Sequence, residues 1–240
     1  MNKEIAVQFN EWLSERKIKL NDVQLNQFAI YYRELVEWNE KMNLTAITER
    51  EQVYVKHFYD SLSLSFFIDL DHVKTMADIG SGAGFPGIPL LILYPHLQLT
   101  IIDSLKKRIG FLQHLSEQLG VKLQTIHGRA EDLGRDSVHR DQYDLVTARA
   151  VARLNVLNEF CLPFVKPAGR FAAMKGSSAQ EELEEANFSM KELRARLIDI
   201  HRLELPGDQA ERHIIVLEKT ANTPAKYPRS PGIPLKKPLG

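Results

Sequence analysis

The stretch Asp78–Gly87, DIGSGAGFPG, sets four glycines into ten residues directly behind the apolar run KTMADI, 74–79. That density lets a strand turn tightly into a helix while its backbone stays open to a ligand. Two patterns overlap in it. Gly82, Gly84 and Gly87 satisfy the G-x-G-x-x-G of dinucleotide sites, whereas Asp78, Gly80, Gly82 and Gly84 satisfy the acidic-x-G-x-G-x-G loop used for S-adenosyl-L-methionine. A phosphate loop needs Gly-Lys-Ser/Thr at its end; Gly87 is followed by Ile88 and Pro89, so nucleoside triphosphate hydrolysis is excluded.

Working outward, short apolar runs alternate with amphipathic segments. LQLTIID, KLQTIH, YDLVTA and RFAAMK join KTMADI as expected strands, with helices expected over Ser104–Leu119 and Val151–Val165. Strand-helix alternation predicts a mostly parallel, doubly wound sheet. LIDIHRLEL, the turn PGDQ and RHIIVLEK then predict a closing hairpin. The expected fold is α/β: a Rossmann-like class I S-adenosylmethionine-dependent methyltransferase, with a seven-stranded, mostly parallel sheet and an N-terminal helical extension. Three regions follow: a helical subdomain over 1–70, the methyltransferase domain over 71–220, and a basic Pro/Gly-rich tail over 221–240. Thr48 with Glu51 reads as a capping box ahead of a helix running to Phe67. The tail reads as a solvated end or as a basic arm docking on phosphates.

The acidic residues narrow the ligand. Asp103, ending the second strand, suits ribose hydroxyls of either nucleoside and does not discriminate. Asp78 does: its carboxylate favours the ammonium of S-adenosylmethionine and repels a pyrophosphate, though it also suits capping of the loop backbone. In GRAEDL, Ala130 and Glu131 follow the third strand, where Glu131 reaches an adenine amino group or caps a helix. Arg149, in TARAVA, ends the fourth strand at the carboxyl edge of the sheet, where open α/β sheets bind ligands.

Bulk properties exclude several classes. The chain has 240 residues, 44% apolar and 26% charged, enough for a full core. With 31 basic and 31 acidic residues it is no broadly cationic nucleic-acid coat, so any such partner must meet a local patch. A single cysteine, Cys161, excludes an intramolecular disulfide and a multi-cysteine metal site, and its apolar helical context reads as that of an inert buried thiol. The N-terminus is too interrupted by charge for a signal peptide, and no apolar run spans a membrane. The expectation is a cytoplasmic protein without metal or membrane partner.

Seven ordered blocks resemble one family. WNEKMNLTAI, HFYDSL, DIGSGAGFPGIPL, DSLKKRIGFL, GRAED, ARAVA and YPRSPGIPLKKPL make the chain similar to the bacterial ribosomal small-subunit guanine-N7 methyltransferase G family, also called glucose-inhibited division protein B. The resemblance implies S-adenosylmethionine contacts at Gly80, Phe85, Ala130, Glu131 and Arg149. It implies a substrate-facing or structural role for Asn39, Asn43, His57 and Asp60. It further implies methylation of N7 of a guanine in 16S rRNA, guanine 527 in the family's rRNA numbering. Ser230 stands where the family pattern leads one to expect a basic residue.

Residue types that are missing shape the expected chemistry. The Asn/Asp-Pro-Pro-aromatic loop of amino methyltransferases is replaced by TARA, and Cys161 is in no position to be a pyrimidine nucleophile. Guanine N7 carries an in-plane lone pair and no proton, so in-line attack needs proximity and orientation rather than a general base. Arg149 is then a candidate for positioning substrate or cofactor. RNA contacts are expected at Asn39, His57, Lys106, Lys107, Arg129, Arg153, Lys175, Arg229, Lys236 and Lys237, with a small-subunit ribosomal particle as substrate and the enzyme as a monomer. The competing readings are a nucleotide-dependent oxidoreductase using Gly82, Gly84 and Gly87, and a non-catalytic ribosome-assembly factor.

Overall fold

A computed structural model describes residues 3–207 and 209–240. Seven strands form one sheet: β1 (Thr75–Ile79), β2 (Gln98–Asp103), β3 (Gln124–His127), β4 (Tyr143–Arg149), β5 (Val165–Lys175), β6 (Ala195–Glu204) and β7 (Glu211–Lys219). Their order is β3-β2-β1-β4-β5-β7-β6, with β7 antiparallel to both neighbours and the other pairs parallel. Parallel neighbours need crossovers, which the helices Gly87–Leu93, Lys106–Leu119, Ala130–Leu133 and Leu154–Cys161 supply. In the expected hairpin turn Pro206–Gln209, Asp208 lies outside the described residues.

The chain leaves β1 towards β2 on one side and reaches β4 on the other. The strand order therefore reverses at the carboxyl ends of β1 and β4, where doubly wound sheets leave a crevice. The glycine-rich stretch and Arg149 both emerge there.

The first seventy residues form one layer of this fold. Helices Lys3–Ser14 and Asp22–Met42 and the helical segment 50–66 share a core with Met76, Leu112, Leu145 and Val216 of the sheet and its crossovers. The helical part expected over 1–70 is thus packed against the sheet through a shared core. Phe28 and Phe58 lie 5.0 Å apart in that core, and Phe9 meets Phe28 edge-on at 5.2 Å. A second core, with Leu157, Phe160, Cys161 and Phe171, fills the opposite face. The third helical segment is capped by the Glu49 carboxylate, which accepts from the amides of Glu51 and Gln52, and not by Thr48. Within it Tyr54–Tyr59 is π-helical, the wider turn that often marks functional positions.

The tail is neither a solvated end nor a loose arm. Arg140 donates to the carbonyls of Thr223, Pro224 and Tyr227, and the fully buried Lys219 ammonium holds Asp141 and Thr223. Tyr227 and Leu239 are buried, and Ile233–Lys236 makes a single helical turn. Five of the tail's residues are proline, which lowers the entropy lost on fixing such a segment. No helix among the described residues is long and apolar enough to cross a membrane, and none of their His, Cys, Asp and Glu side chains cluster to hold a metal.

Candidate functional site

Three glycines of the loop after β1 require left-handed backbone: Gly80, Gly82 and Gly84 have φ of 71°, 63° and 102°. Gly84 and Gly87 are needed for close packing as well. A Cβ on Gly84 would lie 2.6 Å from the Tyr31 hydroxyl, and one on Gly87 would lie 2.8 Å from Asp78 Oδ2. Gly82 differs, since a Cβ there would meet nothing within 4 Å. It opens the loop onto the crevice.

Asp78 sits beneath this loop and is fully buried. Its Oδ2 accepts from Ser81 Oγ at 2.7 Å and from the Gly87 amide at 2.8 Å. Of the two roles that the sequence leaves open for Asp78, these bonds supply the capping of the loop backbone through Oδ2, while the buried Oδ1 has no hydrogen-bond partner among the described residues. Burial pushes its carboxyl up to about 7. The same geometry weakens the dinucleotide reading, since the amide opening the helix Gly87–Leu93 is already taken by a carboxylate and is not offered to a pyrophosphate.

The next two acidic residues stand at the carboxyl ends of β2 and β3. Asp103 accepts from the Gly82 amide at 3.1 Å and the Leu105 amide at 2.9 Å, and pairs with Arg108 at 3.3 Å. Glu131, in the one-turn helix opened by Ala130, accepts at 2.9 Å from the amide of Gly232 in the tail. Gly80, Gly82, Gly84, Asp103, Ala130 and Glu131 thus come together along one edge. An open glycine flanked by two oriented carboxylates matches a nucleoside with ribose hydroxyls and an exocyclic amine. The residues fit S-adenosylmethionine.

At the other side of the crevice Phe85 is the centre of a stack. Tyr31 lies 5.3 Å away at 12°, His57 lies 4.6 Å away at 20°, and the Arg149 guanidinium carbon sits 4.9 Å from the ring centre. Arg149 is held by Asp60 at 2.9 Å and by the Lys56 carbonyl at 3.2 Å, while Arg212 of β7 meets the other Asp60 oxygen at 3.2 Å. His57 is engaged at both ring nitrogens: Nε2 lies 2.8 Å from Thr45 Oγ1, which also accepts from the Ile47 amide, and Nδ1 lies 3.1 Å from the Lys56 carbonyl and 3.4 Å from Arg149 Nη2. Burial, then the nearby Arg149, pulls its imidazole down to about 3, so it is neutral and no proton acceptor for substrate. Cys161 is likewise inert, its thiol pushed up by burial.

The expected RNA contacts divide. Lys106, Arg129, Lys236 and Lys237 are exposed, and Lys107 is exposed while donating to the Met42 carbonyl. Arg153 is surface-paired with Glu181 and Glu185. Three others make contacts within the fold. Lys175 is buried against Glu182 at 2.6 Å, Arg229 is bound to the fully buried Glu159, and Asn39 accepts from the Thr45 amide to close the turn after Met42. The Lys175 and Arg229 charges are thus paired with buried carboxylates, and Asn39 is tied to the turn through its Oδ1. Sequence reasoning missed Tyr31 and Arg212, whose roles arise only across elements; Asp60 was signalled by the block HFYDSL. A groove of about 840 Å³ lies at the opposite edge near Thr75, Gln98 and Gln124, away from these groups.

This geometry agrees with comparisons to known proteins. The family model for rRNA small subunit methyltransferase G matches residues 24–215. The ribosomal RNA small subunit methyltransferase G of Halalkalibacterium halodurans is 55% identical over 233 residues, covering 97% of this chain and 98% of that protein. The Staphylococcus aureus protein of the same name is 52% identical, covering 95% and 98%. Among solved structures, a putative O-methyltransferase from Klebsiella pneumoniae aligns at a TM-score of 0.57 with 13% identity, covering 88% of this chain and 96% of that one. M. jannaschii TYW2 in complex with AdoMet aligns at 0.53 with 16% identity, covering 69% and 76%, and supports the fold alone. On the near full-length identity to these relatives, the chain belongs to the rRNA small subunit methyltransferase G family.

Proposed function

We propose that this protein methylates N7 of a guanine in 16S rRNA, acting as a monomer on a small-subunit ribosomal particle in the bacterial cytoplasm. The observation that carries the reading is the 55% identity, over 97% of the chain, to a relative named for small-subunit rRNA methylation. S-Adenosylmethionine is the cofactor, and it supplies an electrophilic methyl group on a sulfonium. Gly80, Gly82 and Gly84 shape the backbone around it, Asp103 faces its ribose and Glu131 its adenine. Asp78 acts from below by holding the loop closed.

The side chains around Phe85 support transfer without a general base. His57 has both ring nitrogens engaged and a depressed proton affinity, and Asp78 and Cys161 are buried. N7 of guanine has no proton to lose, so the residues need only orient the ring and exclude water. Arg149, fixed by Asp60 and the Phe85 ring, orients the guanine or the cofactor's carboxylate end. Lys106, Lys107, Arg129, Lys236 and Lys237 supply phosphate contacts around the crevice. With zero net charge, affinity rests on this local patch and on the shape of the particle.

The test is methylation of small subunits from a strain lacking the gene, with labelled S-adenosylmethionine, followed by borohydride-aniline cleavage of the rRNA. The expected result is label in 16S rRNA and strand scission at one guanine. Label without scission would place the methyl on another atom, and no label with NAD binding instead would favour the oxidoreductase.

A further inference from the structure

The C-terminal tail lies beyond residues 24–215, yet it reaches the cofactor crevice. Its anchors are strong. Arg229 gives its backbone amide and guanidinium to Glu159, at 2.6 to 3.0 Å, and Glu159 is fully buried. Tyr227 and Lys226 both bind Glu192. Three residues after Arg229 the chain turns at Gly232, whose φ of 82° is left-handed, and this turn aims the Gly232 amide at Glu131 Oε1, 2.9 Å away and 101 residues distant in sequence.

Glu131 needs such a partner. Its helix, Ala130–Leu133, is one turn long with no side-chain cap at its N-terminus, and an isolated turn does not hold its own geometry. A carboxylate has two oxygens and about four acceptor positions, so binding one amide leaves acceptor capacity for an adenine amine. We infer that Gly232, presented by the anchored tail, is a positioning residue for Glu131, so that the C-terminal strap is a working part of the cofactor site rather than only an RNA arm. The inference rests on the placement of Glu131 at the adenine edge under the proposed function. By linkage, cofactor binding must tighten the strap as much as the strap tightens cofactor.

The test is calorimetric titration of S-adenosylhomocysteine into the full chain and its variants, with no RNA present. One variant ends after Arg229, which keeps the Glu159 anchor; Gly232→Val disfavours the left-handed turn, and Gly232→Asn tolerates it. The expected result is a Kd raised about tenfold by truncation and by Gly232→Val, restored by Gly232→Asn. Amide exchange at Gly232 should also slow when S-adenosylhomocysteine is bound to the wild type. Unchanged Kd in the truncated and Gly232→Val proteins, alongside weakening by Glu131→Ala, would overturn the strap's role alone. Unchanged Kd in Glu131→Ala would remove Glu131 from the adenine edge, and the inference with it.

Discussion

Arg149 Nη1 lies 2.9 Å from Asp60 Oδ2, joining the end of β4 to a helical segment 89 residues earlier. The pair is largely buried, and Arg212 closes the other side of the carboxylate. A guanidinium can bind Asp60 and lie on Phe85 at once; an ammonium cannot do both. Arg149→Lys should therefore lower kcat/KM for small subunits about 10²-fold, since the plane over Phe85 is lost, while unfolding free energy falls by only about 1–3 kcal/mol because Asp60 keeps Arg212. Steady-state methylation and urea denaturation measure the two effects.

Gly80→Asp should abolish S-adenosylhomocysteine binding with the fold preserved. The position has φ of 71°, and a Cβ there would lie 2.9 Å from a methyl of Val151. Asp tolerates a left-handed residue better than most, and the exposed Val151 side chain can yield, so the damage falls on the crevice. Calorimetry beside circular dichroism checks this; normal affinity would displace the loop from the cofactor.

Asp78→Asn separates bracing from direct ligand contact. Asn keeps an oxygen for Ser81 and Gly87, so cofactor affinity should stay within about threefold. Burial raises the Asp78 carboxyl from 3.8 to about 7. The folded chain keeps a proton that the unfolded chain releases, so this stability is present below pH 3.8 and is lost as pH rises through about 7. The variant should gain on the wild type across that window by on the order of a few kcal/mol, measured by denaturation at pH 5 and pH 8.

His57 carries the opposite slope. Its imidazole falls from 6.5 to about 3 on folding, so its stabilising contribution is present above pH 6.5 and is lost as pH drops towards 3. His57→Gln should flatten the acid limb of the stability profile. In the wild type, kcat/KM should show no histidine inflection between pH 6 and 8; a bell-shaped profile there, absent in His57→Gln, would make His57 an acid or base.

Arg229→Ala should destabilise the fold by about 3–5 kcal/mol, because it leaves the Glu159 carboxylate buried without its partner. Lys236→Ala with Lys237→Ala, both exposed, should instead leave stability nearly unchanged and weaken small-subunit binding in a salt-dependent manner. Chemical denaturation and filter binding at two salt concentrations distinguish the two kinds of basic residue in one tail.

The strand pattern was legible because period and punctuation are local. TMADI, QLTIID and YDLVTAR are buried runs ended by turns, and the expected seven strands appear with β7 as the antiparallel member. The glycine loop was legible for the same reason: left-handed backbone at Gly80, Gly82 and Gly84 is a property of the residue type. Asp78 was legible as a loop residue with two roles open, ligand contact or loop capping, and its bonds to Ser81 and Gly87 depend on how that stretch folds back over it. The charged residues were least legible. Arg229 and Lys175 have the same formal charge as Lys236, and nothing in their own stretches announces Glu159 or Glu182.

DIGSGAGFPG, the alternation of strands and helices, and the ordered blocks from WNEKMNLTAI to the tail determined the fold and the family, because these depend on backbone preference, burial period and residue order along the chain. Only the tertiary structure decided which polar groups are spent on the fold. It bound Asp78 to its own loop, paired Asp60 with two arginines, and brought Gly232 to Glu131. The physical reason is that a charge's role is set by the partners that meet it after burial, and those partners lie tens of residues away in sequence.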